Sequence, residues 1–321
     1  MKKKLFICAI AMFASIVINA QCFKSISAST YHSAGIKSDG TLWAWGYNGF
    51  GQLGTGSRNA SNVPVQVGNA TNWQQITLNT FTTLGIQTDG TLWAWGSNAN
   101  GLFGTGDNNE SAVPIRVGNA TDWKQISVSY QHCLAIKTDG TLWAWGKNYF
   151  GQLGTGNNDA SNVPVQAGTA TDWKQVSVGS YHSLAIKNDG TLWAWGWNNV
   201  GQLGTKSVID SINTPVQVGN ATGWKQVSAS EQYSLAIKTD GTLWAWGKNG
   251  DGQLGINSTT NSNIPVQVGN ATDWITTDGG GYSSLGLKAD GALWAWGGNY
   301  QGQLGDGTTN NQLAPKLIQA G

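Results

Sequence analysis

Asp139-Gly140-Thr141-Leu142-Trp143-Ala144-Trp145-Gly146 occurs five times without change in this chain of 321 residues. The other identical copies begin at Asp39, Asp89, Asp189 and Asp240. A sixth, starting at Asp290, has Ala292 in place of threonine. Successive copies lie 50 residues apart, once 51. A period of this size with a tryptophan-rich strand in each unit marks a repeat architecture. Of 18 tryptophans, 12 belong to these peptides. Five more stand at Trp73, Trp123, Trp173, Trp224 and Trp274, where the first unit has Phe23. Only Trp197 breaks the pattern. The six prolines, Pro64, Pro114, Pro164, Pro215, Pro265 and Pro315, fall one to a unit.

The fourth unit reads as four strands. Trp173–Val178 alternates and is rich in β-branched residues, and His182–Lys187 follows after a short variable loop. Asp189-Gly190 predicts a type I′ hairpin turn, which needs φ > 0 at both central residues. Thr191–Trp195 is the third strand, a glycine-rich loop runs from Gly196 to Asn213, and Pro215–Val218 is the fourth. Proline at its first residue suits an edge strand, where no ladder donor is lost. Trp193 and Trp195 point to one face, Leu192 and Ala194 to the other. Leu184 and Ile186 share a face, with small Ala185 opposite. Neither sheet face is polar, so each sheet has neighbours on both sides. The tryptophans bury roughly 150–250 Å² each, about 4–6 kcal/mol at the upper bound. Four-stranded antiparallel sheets covered on both faces and repeated six times define an all-β fold, a six-bladed β-propeller. The alternative is a linear solenoid, which needs polar end repeats that this sequence does not supply.

Met1–Ala20 precedes the repeats. Lys2, Lys3 and Lys4 lead an apolar run, Leu5–Ile18, that is too short to span a membrane comfortably, and small Ala20 closes it. This is the pattern of a secretory signal peptide, so the expected product is 21–321, exported to the periplasm or beyond. Those 301 residues equal six units with one extra residue. Gly321 aligns with Ala70 and Gln21 with Thr71, so the ends meet in phase, as a closed ring requires.

Three of the 18 basic residues lie in the leader, leaving 15 against 17 acidic ones, a net charge near −2. No basic patch exists to neutralise phosphates, which argues against a nucleic-acid partner. Outside the leader the cysteines are Cys22 and Cys133, at different repeat positions. They form no disulfide framework, and Cys133 fills the slot of Ser183.

The stretch 139–156 (DGTLWAWGKNYFGQLGTG), then Pro164 and Gly179-Ser180-Tyr181-His182-Ser183-Leu184-Ala185, resembles the RCC1 (regulator of chromosome condensation) repeat over nearly all of 21–321. Kelch units want a paired glycine that does not recur here, and WD40 units end in Trp-Asp. The resemblance implies a propeller that binds macromolecules, without a cofactor. It also implies an alternative to six blades, since the family form is usually seven-bladed and one unit would then be missing. The founding member is an exchange factor for the small GTPase Ran, relying on an inserted wedge and a basic tail. This chain has neither, its one length change being a residue between Thr205 and Thr214. The family is also similar to a secreted bacterial propeller that inhibits β-lactamases through loop aromatics. His32, His132 and His182 share one repeat position, where the family favours a structural hydrogen bond over a metal.

Comparing the repeats with one another locates the variable surface. The first-to-second and third-to-fourth loops emerge on one face and vary; the Asp-Gly turns emerge on the other and do not. Binding resides in such loops. They carry Tyr31, Phe50, Phe81, Tyr130, Tyr149, Phe150, Tyr181, Trp197, Tyr233, Tyr282 and Tyr300, and tyrosine and tryptophan are favoured at interfaces. Trp197 is the leading candidate, because its slot holds Tyr47, Ser97, Lys147, Lys248 and Gly298 elsewhere. No nucleophile elbow, phosphate loop or metal signature occurs. The expected function is a secreted, monomeric, non-enzymatic module that binds a periplasmic or extracellular protein. Two alternatives stand: a lectin-like ring that stacks sugars, and a hydrolase built on an Asp pair drawn from Asp107, Asp159, Asp210, Asp251, Asp278 and Asp306.

Overall fold

A computed structural model describes residues 22–207 and 209–318. The signal-peptide reading of Met1–Ala20 lies outside the described residues. The first unit forms β1 (Phe23–Ala28), β2 (His32–Lys37), β3 (Leu42–Gly46) and β4 (Ser61–Gln66), and the pattern recurs up to β24 (Gln312–Ile318). The strands make six antiparallel sheets, each of four consecutive strands in chain order. The chain is therefore a six-bladed propeller, as the repeat count predicts. Each fourth strand begins three residues earlier than the proline suggests, or four in blade 4, where β16 (Ser211–Gln217) starts before Pro215. Pro64 sits inside β4, at the register shift between Ala44 and Gly46, where the ladder is already interrupted.

The Asp-Gly turn is not type I′. Gly40 has φ +81°, and the non-glycine residues with positive φ do not include Asp39. Gly40 N–H donates to Lys37 O (2.9 Å) and Lys37 N–H to Thr41 O (2.9 Å). This is a three-residue loop, a type I turn closed by a left-handed glycine. A Cβ on Gly40 would lie 2.0 Å from Thr71 O, because the link to the next blade crosses here. The carboxylate explains the rest of the peptide. Asp39 Oδ1 accepts from Thr41 N–H (2.9 Å) and from the Thr41 hydroxyl (2.6 Å). The Thr41 hydroxyl in turn accepts from Trp43 Nε1 (2.9 Å). Hydrogen bonds from the Thr41 side chain, then its backbone, hold the Asp39 carboxyl below the usual carboxylate range.

The two tryptophans of each peptide have different surroundings. Trp95, Trp145, Trp195, Trp246 and Trp296 are fully buried. Trp93, Trp143, Trp193, Trp244 and Trp294 are only half-buried. A lysine ammonium covers several of these outer rings, as with Lys238 Nζ at 4.1 Å from Trp244. Fewer tryptophans than the predicted twelve thus supply full burial.

Five hydrophobic clusters lie at the five junctions between consecutive blades. Between blades 3 and 4, Leu134, Ile136, Leu142 and Ala144 meet Trp173, Val176, Ala185 and Trp195. Large and small faces interdigitate, as the alternation in the sequence requires. A polar staple accompanies each cluster. Trp195 Nε1 and Ser183 Oγ both donate to Gln152 O of the preceding blade (2.8 Å each). His132 Nε2 lies 2.8 Å from Ser183 Oγ. The serine proton is already given to Gln152 O, so His132 donates through Nε2–H and Nδ1 accepts. His32 and His182 make the same contact, to Thr83 (2.9 Å) and Ser234 (3.0 Å). Burial drives these imidazole pKa values down, to about 4 for His32 and about 3 for His132 and His182, so they stay neutral. Cys133 sits in the serine slot, with Sγ 3.5 Å from Leu102 O, and burial pushes its thiol pKa well up.

The sixth junction differs. The first strands of the blades, or in blade 5 the loop that follows (Ser230, Glu231), line one central cavity, so the blades share an axis. Among the described residues, however, blade 6 does not repeat on blade 1 the packing seen at the other junctions. Ile26 is 75% exposed, whereas its equivalents Ile76, Ile126, Val176 and Val227 are buried. Leu285 and Leu293 of blade 6 are about two-fifths exposed (42% and 40%), against full burial for Leu235 and Leu243. The in-phase ends predict closure at this junction. The six blades form, but among the described residues these two walls do not pack on each other as the other junctions do.

Candidate binding site on the loop face

A buried asparagine holds each long loop between third and fourth strands. Asn148 Nδ2 donates to Asn157 O and Asp159 O (3.0 Å each), and its Oδ1 accepts Leu153 N–H (2.9 Å). Asn48, Asn98, Asn198, Asn249 and Asn299 are buried in the same place. Gln152 Oε1 pins the loop tip through Phe150 N–H (2.9 Å). A fixed platform thus presents changing side chains.

The aromatics on it gather where neighbouring blades meet. Between blades 1 and 2, Tyr31 stacks on Phe81 (5.6 Å, 16°), with Phe50 4.8 Å from Phe81 and Tyr47 6.0 Å from Tyr31. Between blades 3 and 4, Trp197 stacks on Phe150 (5.2 Å, 25°) and meets Tyr181 edge-on (5.5 Å). Trp197 ends a strand, β15 (Leu192–Trp197), and does not hang in a loop. Trp197, Phe150 and Tyr181 are half-buried, so part of their area is spent on one another. Between blades 5 and 6, Lys248 Nζ lies 5.2 Å from the Tyr282 ring, and the Tyr300 hydroxyl donates to Asp251 (2.6 Å).

Tyr31, Tyr130, Tyr149, Tyr282 and Tyr300 project into solvent, Tyr149 at 63% and Tyr300 at 61%. Tyr233 is a correction to the predicted set. It is fully buried in β18 (Tyr233–Lys238), in the slot used by the histidines, and its hydroxyl donates to Ser283 O (2.6 Å). Burial raises its pKa well beyond the ordinary phenol value. The register of the histidine slot, seen in the sequence, was the signal for this. Sequence reasoning proposes no contact role for Tyr47, Glu231 or Lys248 on this face, and takes Asp251 only as a candidate for a hydrolytic pair. Tyr47 and Lys248 share the repeat slot of Trp197, which was the signal for them.

A cavity of about 400 Å³ opens at the axis, lined by Tyr130, Tyr181, Glu231, Lys248 and Tyr282 among others. A carboxylate, an ammonium and three phenols thus converge at the mouth. Four of the six loop aspartates are tied into the scaffold. Asp107 accepts from Thr105 (2.9 Å), Asp251 from Tyr300 (2.6 Å) and Asp278 from Ser228 (2.8 Å). Asp306 pairs with Lys316 (2.8 Å), whose ammonium, with the Thr308 hydroxyl, holds its carboxyl far below the usual range.

Six four-stranded blades, with a constant scaffold beneath a variable aromatic rim, define a β-propeller with one candidate binding face. The family model of the RCC1-like domain matches residues 16–320, and the chain belongs to this family. The structure is similar to that of human WBSCR16, with a TM-score of 0.83 at 21% identity over 94% of this chain and 83% of that one. It is also similar to Prp20p of Saccharomyces cerevisiae, with a TM-score of 0.81 at 20% identity over 92% of this chain and 76% of that one. At these identities the likeness concerns the fold. Among curated proteins, 46 residues are 50% identical to the X-linked retinitis pigmentosa GTPase regulator homolog of Caenorhabditis elegans. The match spans 14% of this chain and only 3% of the length of that relative.

Proposed function

We propose that this protein is an exported, non-enzymatic module that grips a protein partner with its loop face. The observation that carries this reading is the rim itself: exposed tyrosines from several blades, of which Tyr149 and Tyr300 sit on loops held by buried asparagines. A pre-ordered aromatic rim loses little entropy on binding. Similar folds support the reading: the Prp20p structure was described together with its binding to Gsp1p and histones, and yeast RCC1 was seen bound by Kap60.

The mature protein, immobilised, should capture a protein partner from culture medium or periplasmic extract. Tyr149→Ala with Tyr300→Ala, both on exposed side chains, should weaken that complex by about 2 kcal/mol or more, roughly thirtyfold in Kd. Trp197→Ala should weaken it too. Unchanged affinity in all these variants would rule out this face. N-terminal sequencing of the exported protein tests cleavage after Ala20.

One observation favours a second reading. Tyr130, Tyr181 and Tyr282 surround a mouth that also holds Glu231 and Lys248, a combination suited to stacking and hydrogen-bonding a sugar. A glycan array without hits would remove it.

A further inference from the structure

At the junction of blades 3 and 4 the chain fills its own rim, with Trp197 stacked on Phe150 and edge-on to Tyr181. The junction of blades 1 and 2 repeats the two walls and omits the filling. Phe50 stands in the place of Phe150 and Phe81 in that of Tyr181, their rings 4.8 Å apart against 5.4 Å. Ser97 stands in the place of Trp197. The backbone is the same at both sites: Ser97 N–H donates to Phe81 O, and Trp197 N–H to Tyr181 O (2.9 Å each). At every other junction at least one wall is not aromatic, as with Asn100 and Gln131 between blades 2 and 3.

A hollow of about 180 Å³ takes the missing ring's position, lined by Phe50, Phe81, Ser97, Leu102, Glu110 and Tyr130 among others. A cavity of roughly 150 Å³ is enough for a benzene ring. The floor is apolar through a departure from the repeat: Leu102, 3% exposed, replaces the glutamine of the other five blades. Polar groups in the wall are already used. The Thr82 hydroxyl donates to Ser97 O (2.7 Å), and Asn79 Oδ1 accepts from Phe81 N–H and Thr82 N–H (2.8 Å each). An entering apolar group therefore gains from burial and strips no unpaired donor of water. The edge carries one carboxylate. Glu110, where blades 1 and 3 have Ala60 and Ala160, is held by Arg58 at 3.0 Å, and Arg58 is itself fixed on Gly49 O (3.0 Å). Arg58 bonds Oε2, and a carboxylate has further lone pairs for a phenol or indole donor.

We infer that this hollow is an anchor pocket for one tyrosine or tryptophan side chain of the partner protein, seated as Trp197 is seated two blades on. Such an anchor rests on the loop face being a protein-binding surface, as proposed above. Binding energy concentrates at aromatic anchors in desolvated pockets of this kind.

The first probe is p-cresol, the tyrosine side chain alone, titrated into the protein and followed by NMR. The parent should bind it in the millimolar range, and Glu110→Ala should bind it severalfold more weakly. Ser97→Trp should not bind it, with a thermal midpoint no lower than the parent's, because the new indole takes the seat. Phe50→Ala, which removes one wall from a half-buried surface ring, is the second variant and should also weaken binding. A parent that takes up no p-cresol, or variants that all take it up equally, overturns the pocket. The second probe is the protein captured by the loop face. Ser97→Trp should weaken that complex about thirtyfold or more. A partner that ignores Ser97→Trp and Phe50→Ala but is lost on Tyr149→Ala with Tyr300→Ala overturns the anchor and keeps the loop face. A partner indifferent to all of these substitutions, or none captured at all, overturns the loop face and the anchor with it.

Discussion

Ala292→Thr should stabilise the protein. In five blades the first tryptophan of the peptide gives its indole proton to a threonine hydroxyl, at 2.8–2.9 Å. In the sixth blade that hydroxyl is missing, and Trp294 Nε1 is buried without a partner. The rest of the device is in place, since Asp290 Oδ1 already accepts Ala292 N–H at 2.9 Å. Giving a buried donor its partner contributes about 1–2 kcal/mol. With an unfolding entropy of roughly 2.1 cal/mol/K per residue, a chain of this length should gain about 2–3 °C in thermal midpoint. Ala292→Val isolates the cause, because valine brings the same bulk and strand preference without the hydroxyl. Differential scanning calorimetry of the three proteins is the assay. Threonine should exceed valine by most of the gain, and Thr141→Val in blade 3 should lose a similar amount. If valine stabilises as much as threonine, the hydrogen-bond reasoning is wrong and side-chain bulk explains the change.

Stability should also fall on mild acidification. The folded chain holds His32, His132 and His182 neutral down to about pH 4 or 3, while the unfolded chain protonates them near 6.5. Below 6.5 the unfolded state thus binds more protons, and stability drops by about 1.4 kcal/mol per pH unit for each imidazole until the folded pKa is reached. Urea midpoints between pH 7 and 5 should decline in the parent and less steeply in His132→Gln and His182→Gln; equal slopes would contradict the burial argument. The junction of blades 2 and 3 offers a coupling test. There Thr82 takes the histidine slot and Cys133 the serine slot, so Thr82→His alone should destabilise and Thr82→His with Cys133→Ser should recover. A double-mutant cycle should give a favourable coupling of about 1 kcal/mol, and additive changes would refute the staple.

Much of the architecture was legible because it repeats. Strand number, sheet order, the Leu184–Ile186 face and the opposing Ala185 all follow from period-two alternation read six times over. What the sequence concealed depends on contacts made elsewhere. The turn at Asp39-Gly40 was misread because the dipeptide alone favours type I′, whereas the Asp39 side chain captures Thr41 and selects the looser loop. The missing donor of Pro215 and its equivalents argues for a strand start; the register shift between Ala44 and Gly46, opposite Pro64, removes that objection. Residue type alone places Tyr233 on the rim, whereas its register in the histidine slot puts it in the core. Nor could phase at the chain ends reveal that Ile26 and Leu285 would face solvent, since closure depends on the angle swept by each blade. For the rim, composition pointed to Tyr149 and Tyr300, while the polar residues of the mouth, Glu231 and Lys248, carried no signal beyond their slots.

Among the described residues every sheet is built from four strands that follow one another in the chain, and none borrows a strand from a neighbour. The peptide links between blades therefore carry no hydrogen-bonded strand pairing from one sheet to another. Such a chain can be reopened at any link, or gain or lose a blade by duplication or deletion of one unit, without breaking a β-ladder.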